Sequence, residues 1–264
     1  MYPFQYQRPD SISAAVAACQ GEARYLAGGQ SLVQAMKLRL SSSETLVDLA
    51  GIGVMAASAL EGGRVIVGAT AKHAAVAASA DVCKAIPGLA ELAGGIGDQM
   101  VRNMGTLGGS IANADPAACY PAAVVGLGAT VHTDRRKIAG DDFFTGLYET
   151  ALQPGELVTA VEFPVPTRSA YMKFKQPASR FAMVGVFVSQ SAGGVRVAVT
   201  GAKSHVYRAT EIETALNASF SPAAAKAVKL SSAGINADLH ASAEYRAAMI
   251  PVMAARAVEA ALAR

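Results

Sequence analysis

Apolar positions recur along this chain with two periods, and the points where the period switches outline its elements. Phe4 and Tyr6 fall in a short aromatic strand, and Asp10 or Ser11 caps an alanine-rich helix running to about Cys19. Residues 24–27 read as a strand that Gly28-Gly29 breaks. Gln30-Ser31 then open a second helix, with Leu32, Ala35, Met36 and Leu40 at helical spacing. Residues 45–49 and 64–68 are further apolar strands. Helical segments follow at 71–80 and 87–96, then a glycine-rich element at 105–110, then strands near 129–133 and 157–163.

Pro164-Val165-Pro166 marks a domain edge, and the texture changes beyond it. Residues 170–175, 183–189 and 195–200 are strand-like, with Ala192-Gly193-Gly194 as a hairpin turn. Residues 208–217, 222–232 and 243–263 are helical. Pro251 is expected to begin a new helix or to kink the last one. No fixed-period repeat is present.

Composition narrows the class. Apolar residues make up 52% of the 264 and charged residues 16%, which excludes a disordered chain. A net charge of +3, with the basic residues scattered, predicts no nucleic-acid surface. The charge-free run from Pro116 to Thr133 is broken by prolines and glycines, so a buried helix and strand are expected there rather than a membrane span. Cys19, Cys83 and Cys119 lie far apart with no CxxC, which supplies no zinc or iron–sulfur ligand set and predicts a reducing, cytoplasmic setting. His73, His132, His205 and His240 form no metal spacing and are expected at surface or capping positions.

Two glycine elements carry the candidate chemistry. Ala27-Gly28-Gly29-Gln30-Ser31-Leu32 lies between a strand and a helix start, where free backbone N–H groups and a partial positive charge favour a phosphate. It also reads as an ordinary glycine turn. Thr106-Leu107-Gly108-Gly109-Ser110, continuing to Asn113, joins hydroxyls and an amide to two glycines, and reads as a loop able to hydrogen-bond a pyrophosphate or as a close backbone crossing. Two such elements together suggest a dinucleotide, with Gly28 and Gly109 close to its diphosphate. A third match, Gly51-Ile52-Gly53-Val54-Met55-Ala56, has the GxGxxA form. Its following strand ends without an acid, so a Rossmann site is not expected. No P-loop motif occurs.

LAGGQSL at 26–32 with VRNMGTLGGSIANADPAACYPA at 101–122 resembles the FAD-binding medium subunit of molybdenum hydroxylases, the carbon monoxide dehydrogenase and xanthine dehydrogenase relatives. FQYQRPDSISAA at the start, LVDLAGI, VGATAKH, ELVTAVEFPVP and FKQPASR extend the resemblance over essentially the whole chain. It implies an α+β fold. A vanillyl-alcohol-oxidase-type FAD domain over 1–166 would be split into two α+β subdomains near 55–60. A C-terminal domain with a small antiparallel sheet and helices would cover 167–264.

The resemblance also implies site residues. Leu26, Ala27, Gly28, Gly29, Gln30, Ser31, Leu32 and Val33 would hold the FAD pyrophosphate from one side. Thr106, Leu107, Gly108, Gly109, Ser110 and Asn113 would hold it from the other. Ile96 would lie near the flavin, and Lys175 of the FKQ motif would reach the cofactor. Cys119 departs from the pattern, because many relatives carry an acid there. Arg102 is either structural or faces the phosphates.

The implied function is electron transfer by FAD, with no catalytic residue in this chain. A large subunit would carry the molybdenum cofactor, and a small subunit the two-iron iron–sulfur clusters. An external acceptor would take the electrons away. The implied location is cytoplasmic, with the inner face of the membrane as an alternative. A stand-alone flavoenzyme of the same fold and a non-catalytic nucleotide-binding module are the competing readings.

Overall fold

The computed structural model describes residues 1–264. The chain opens with β1 (Gln5–Gln7), α1 (Ile12–Ala18), β2 (Ala23–Leu26), α2 (Leu32–Lys37) and β3 (Thr45–Asp48). These strands pair in parallel in the order β1-β3-β2. Parallel neighbours need crossovers, which α1 and α2 help to provide. Of the two candidate caps for α1 it is Ser11 that acts, its hydroxyl accepting from Ala14 N.

Next come β4 (Ser58–Glu61), β5 (Arg64–Gly68), α3 (His73–Ala78), α4 (Ala80–Ala85), α5 (Pro87–Gly94), α6 (Gln99–Met104), α7 (Leu107–Asn113) and α8 (Tyr120–Gly126). They are followed by β6 (Thr130–Thr133), β7 (Lys137–Ala139), α9 (Gly140–Phe143), the small hairpin β8 (Phe144–Gly146) and β9 (Glu149–Thr150), and β10 (Val158–Pro164). The antiparallel order β4-β5-β10-β6-β7 places the late strand β10 at the centre. Val161 of β10 pairs with Val67 on one side and Val131 on the other, and all three are fully buried. Helices α3–α8 form an excursion between β5 and β6. The charge-free run is α8 and β6, and no helix is long and apolar enough to cross a membrane.

Beyond Pro166 lie β11 (Arg168–Lys175), β12 (Ala182–Ser191), β13 (Gly194–Thr200), β14 (Tyr207–Arg208), α10 (Thr210–Ala218), α11 (Pro222–Ala227) and α12 (Ala243–Leu262). The four strands form an antiparallel sheet in chain order. Alternation decides its two faces. Val184, Val186 and Val188 pack with Ile250, Met253 and Val258 of α12 in one core, each burial contributing about 1.5–3 kcal/mol. Tyr171, Phe187 and Ala198 turn the other way and join the core of the preceding units. Glycine permits this junction: a Cβ on Gly126 would lie 2.9 Å from Phe187 Cδ1. The C-terminal sheet is thereby held against the helical excursion, where it can wall a site.

Several expectations change. Pro251 does not begin a new helix: it lies inside α12 and is itself buried, with packing of the helix on the sheet offsetting the missing N–H. The helix expected over 222–232 stops at Ala227, where Val228 turns extended. The glycine element at 105–110 is mostly helix rather than loop, since α7 starts at Leu107. Gly51 and Gly53 lie in 3-10 turns and β4 runs antiparallel to β5, so the GxGxxA match has no Rossmann context.

Candidate functional site

A cavity of about 470 Å³ opens where the β2–α2 turn, the helical excursion and the β11–β12 hairpin meet. Its middle is built from the two glycine elements, which touch. A Cβ on Gly28 would lie 2.7 Å from Gly105 Cα, and one on Gly109 would lie 3.6 Å from Ala27 Cβ. A side chain on Gly28 would therefore meet backbone of the chain itself, whatever its main chain offers a ligand.

The two elements present different chemistry. The N–H groups of Gly28, Gly29, Gln30, Ser31 and Leu32 donate to no group of the chain. Gly29 holds φ at +68°, a left-handed turn that L side chains adopt poorly, and so curls these amides into a nest. The α7 element spends its amides internally. Leu107 N donates to Ala71 O at 3.1 Å, Gly108 N to Ala69 O at 2.8 Å, Gly109 N to Thr106 Oγ1 at 3.2 Å and Ser110 N to Thr106 O at 3.0 Å. What α7 offers the cavity is side chains, the Ser110 hydroxyl and the Asn113 amide.

One end of the cavity is lined by Tyr25, Leu49, Leu152, Leu157 and Glu156. Glu156 is bound to Arg136 Nε at 3.0 Å and to Thr133 Oγ1 and Gln153 N, which hold its pKa down at about 2. The other end is lined by His73, Ile96, Gly97, Val101, Cys119, Lys173, Arg180 and Phe181.

Of the residues expected from sequence, Leu26 to Leu32, Ile96, Thr106, Gly108, Gly109, Ser110 and Asn113 line the cavity, while Val33, Leu107 and Lys175 do not. Val33 packs beside Gly29, within 2.9 Å of where a Cβ would lie. Leu107 is fully buried in the core. Lys175 sits past an irregularity in the β11–β12 register between Phe174 and Lys175, and it is exposed. Lys173 faces the cavity instead. Its ammonium donates to Gly95 O at 2.9 Å, Arg180 O at 2.9 Å and Cys119 Sγ at 3.4 Å. Arg102 proves structural, donating to Ile96 O at 3.0 Å and Gly97 O at 3.2 Å.

His73 is the clearest departure. It is 5% exposed rather than at the surface, and its ring lies 5.3 Å from that of Tyr120. Burial, helped by Arg102, pushes its pKa down to about 4, so it is neutral near pH 7. Its Nδ1 is buried without a hydrogen-bond partner. Of the four histidines it is the one inside a segment that carries the family resemblance, VGATAKH, and that was the available signal. The remaining three histidines lie away from the cavity, and of these His132 pairs with Glu162 at 2.9 Å.

This donor set fits a dinucleotide: a run of free amides for the diphosphate, hydroxyl and amide side chains opposite, and mainly apolar compartments at either end. Comparison with known proteins agrees. Residues 2–166 match the model of the FAD binding domain in molybdopterin dehydrogenase. The carbon monoxide dehydrogenase medium chain of Afipia carboxidovorans is 39% identical, over 99% of this chain and 97% of that one. The nicotine 6-hydroxylase medium subunit of Paenarthrobacter nicotinovorans is 32% identical, over 98% of each. Among solved structures, reconstituted CO dehydrogenase from Oligotropha carboxidovorans superposes with a TM-score of 0.91 at 36% identity, covering 100% of this chain and 99% of that one. The chain belongs to the molybdenum hydroxylase family, as an FAD-binding medium subunit of an oxidoreductase.

Proposed function

We propose that this chain binds FAD without a covalent bond and relays electrons from an iron–sulfur subunit to an external acceptor. Its partners would be a small subunit with two-iron clusters and a large subunit with the molybdenum cofactor, where the organic or gaseous substrate is oxidised. The observation that carries the reading is the run of unpaired amides from Gly28 to Leu32 facing Ser110 and Asn113 across one cavity. The diphosphate belongs at that run. The isoalloxazine belongs at the Ile96 end, between the helical excursion and the β11–β12 hairpin, and the adenosine at the Leu157 end. Bound there, the flavin would supply acceptance of electrons singly and release of one or two.

The chain's own residues bind and orient. Gly29 curls the amides, Thr106 fixes the start of α7, and Ile96, Val101 and Phe181 give the ring end an apolar lining. In this reading iron and molybdenum are held by other subunits, since the three cysteines of this chain carry no cluster spacing. Relatives named for carbon monoxide and for nicotine resemble this chain over nearly its full length. Such different substrates on one medium-subunit design support a reading in which another subunit chooses the substrate.

Co-expression with the neighbouring genes tests this. A complex containing molybdenum, iron and FAD is expected, and heating should release free FAD. Organic or gaseous substrate should reduce the flavin in the complex but not in the isolated chain. Substrate-driven reduction in the isolated chain would instead make it a stand-alone flavoenzyme.

A further inference from the structure

Three cations converge on one short segment at the Ile96 end of the cavity. Lys173 reaches Gly95 O, Arg102 reaches Ile96 O and Gly97 O, and Arg180 reaches Gly97 O at 3.1 Å. These carbonyls follow the C-terminus of α5, whose partial negative charge suits cations. The acceptors are nevertheless uncharged groups. None of the three cations forms an ion pair, although eleven ion pairs exist elsewhere in the chain. Asp98 caps the start of α6 in solvent, where the Val101 N–H it accepts lowers its pKa first and Arg180 and Arg102 add to the effect.

Lys173 and Arg180 line the cavity, and the only side chain that Lys173 touches by hydrogen bond is Cys119, a thiol rather than a carboxylate. Cys119 is itself 5% exposed. We propose that Lys173 is a charge-setting residue for the flavin, and that its pairing with the Cys119 thiol, which carries no compensating charge, raises the flavin's reduction potential. This rests on the reading of the cavity as an FAD site with the isoalloxazine at the Ile96 end. Reduction of an isoalloxazine by two electrons and one proton, the electrons coming from the partner's iron–sulfur clusters, leaves one negative charge on the ring. A cation held near the ring favours that charged form over the oxidised one. A carboxylate on the same cation would cancel the effect.

The experiment is an anaerobic redox titration of the FAD-loaded complex. Lys173→Gln and Cys119→Asp should each shift the reduced-to-oxidised ratio roughly tenfold toward oxidised, which is about 30 mV lower for a two-electron couple. Cys119→Asn, of the same shape without the charge, should stay at the wild-type potential, and so should Lys173→Arg. FAD content measured beside the potential separates the outcomes. An unchanged potential in Cys119→Asp with FAD retained overturns the proposal, and that variant decides alone if Lys173→Gln loses its flavin. Weaker FAD binding with no change of potential also overturns it, since Lys173 would then serve another part of the dinucleotide. A wild-type complex without FAD would defeat the underlying reading instead.

Discussion

The Cβ that Gly28 lacks would overlap the carbonyl oxygen of Met104. Main chain meets main chain there, so no rotamer change can relieve a substitution. Gly28 thus sets how closely the β2–α2 turn approaches the α6–α7 turn, and the width of the cavity depends on that approach. Gly28→Ala should destabilise the FAD-free chain by about 1–3 kcal/mol, the usual range for forced overpacking. Gly53 is the internal comparison, because a Cβ there would meet nothing within 4 Å. Gly53→Ala should stay within about 0.5 kcal/mol of the parent. Urea unfolding of both apo variants measures the difference, and equal midpoints would remove this role from Gly28.

Thr106 acts one step further along the same wall. Its hydroxyl accepts from Gly109 N and caps α7, and a Cβ on Gly109 would lie 2.8 Å from that oxygen. Thr106→Ala should cost about 1 kcal/mol as a lost cap, while Thr106→Ser should keep most of the stability. Gly109→Ala should resemble Thr106→Ala, because its methyl group pushes the same hydroxyl away. Thermal unfolding of the three variants checks the pattern. A Gly109→Ala variant as stable as the parent would mean that the cap tolerates the intrusion.

His73 predicts a pH dependence. Its folded pKa of about 4 lies below the ordinary 6.5, so the unfolded chain binds more protons between these values. Stability therefore rises with pH across that window. The His73 contribution is fully present above about pH 6.5 and is lost as the pH falls toward 4. A shift of this size corresponds to about 3 kcal/mol. Unfolding free energies of the wild type and of His73→Asn, measured from pH 4 to 7, should differ in slope, with the variant flatter. Parallel curves would show that the ring is protonated or hydrated in the folded chain.

Much of this was legible in the sequence, and the reason is local. The β2–α2 turn and α7 announce themselves through paired glycines beside a change of period, because both the turn and the helix start are decided within a few residues. The strands at 64–68 and 157–163 were visible as apolar runs, although their pairing with each other was not. Lys173 was not singled out because its place on the cavity wall comes from the pairing of two strands, with a register irregularity beside it, and not from one segment. His73 was misjudged because its burial comes from Tyr120, 47 positions away in the chain, and from Gly105. The α7 element read either as a loop able to hydrogen-bond a pyrophosphate or as a close backbone crossing, and the crossing is what forms: Leu107 N and Gly108 N donate to Ala71 O and Ala69 O, just past a strand far upstream.

That last difference yields the sharpest test of the binding geometry. The two glycine elements look alike as sequences, yet one presents backbone donors and the other side chains. The Gly28–Leu32 amides are free whatever side chains the turn carries, and Gln30 Nε2 bends back to Gly28 O at 3.5 Å rather than across the cavity. Gln30→Ala and Ser31→Ala should therefore leave FAD affinity within about twofold of the parent. Ser110 and Asn113 face the cavity with no hydrogen-bond partner in the chain, while the amides around them are occupied. Ser110→Ala and Asn113→Ala should each lose one hydrogen bond to the cofactor, about 1 kcal/mol or roughly fivefold in Kd. Neither should change the stability of the apo chain by more than about 0.5 kcal/mol, because neither side chain is bonded to another part of it. Titration of the apo chain with FAD, followed by flavin fluorescence, reads all four variants. Strong losses at Gln30 and Ser31 with none at Ser110 and Asn113 would reverse the assignment and place the side-chain donors on the β2–α2 turn.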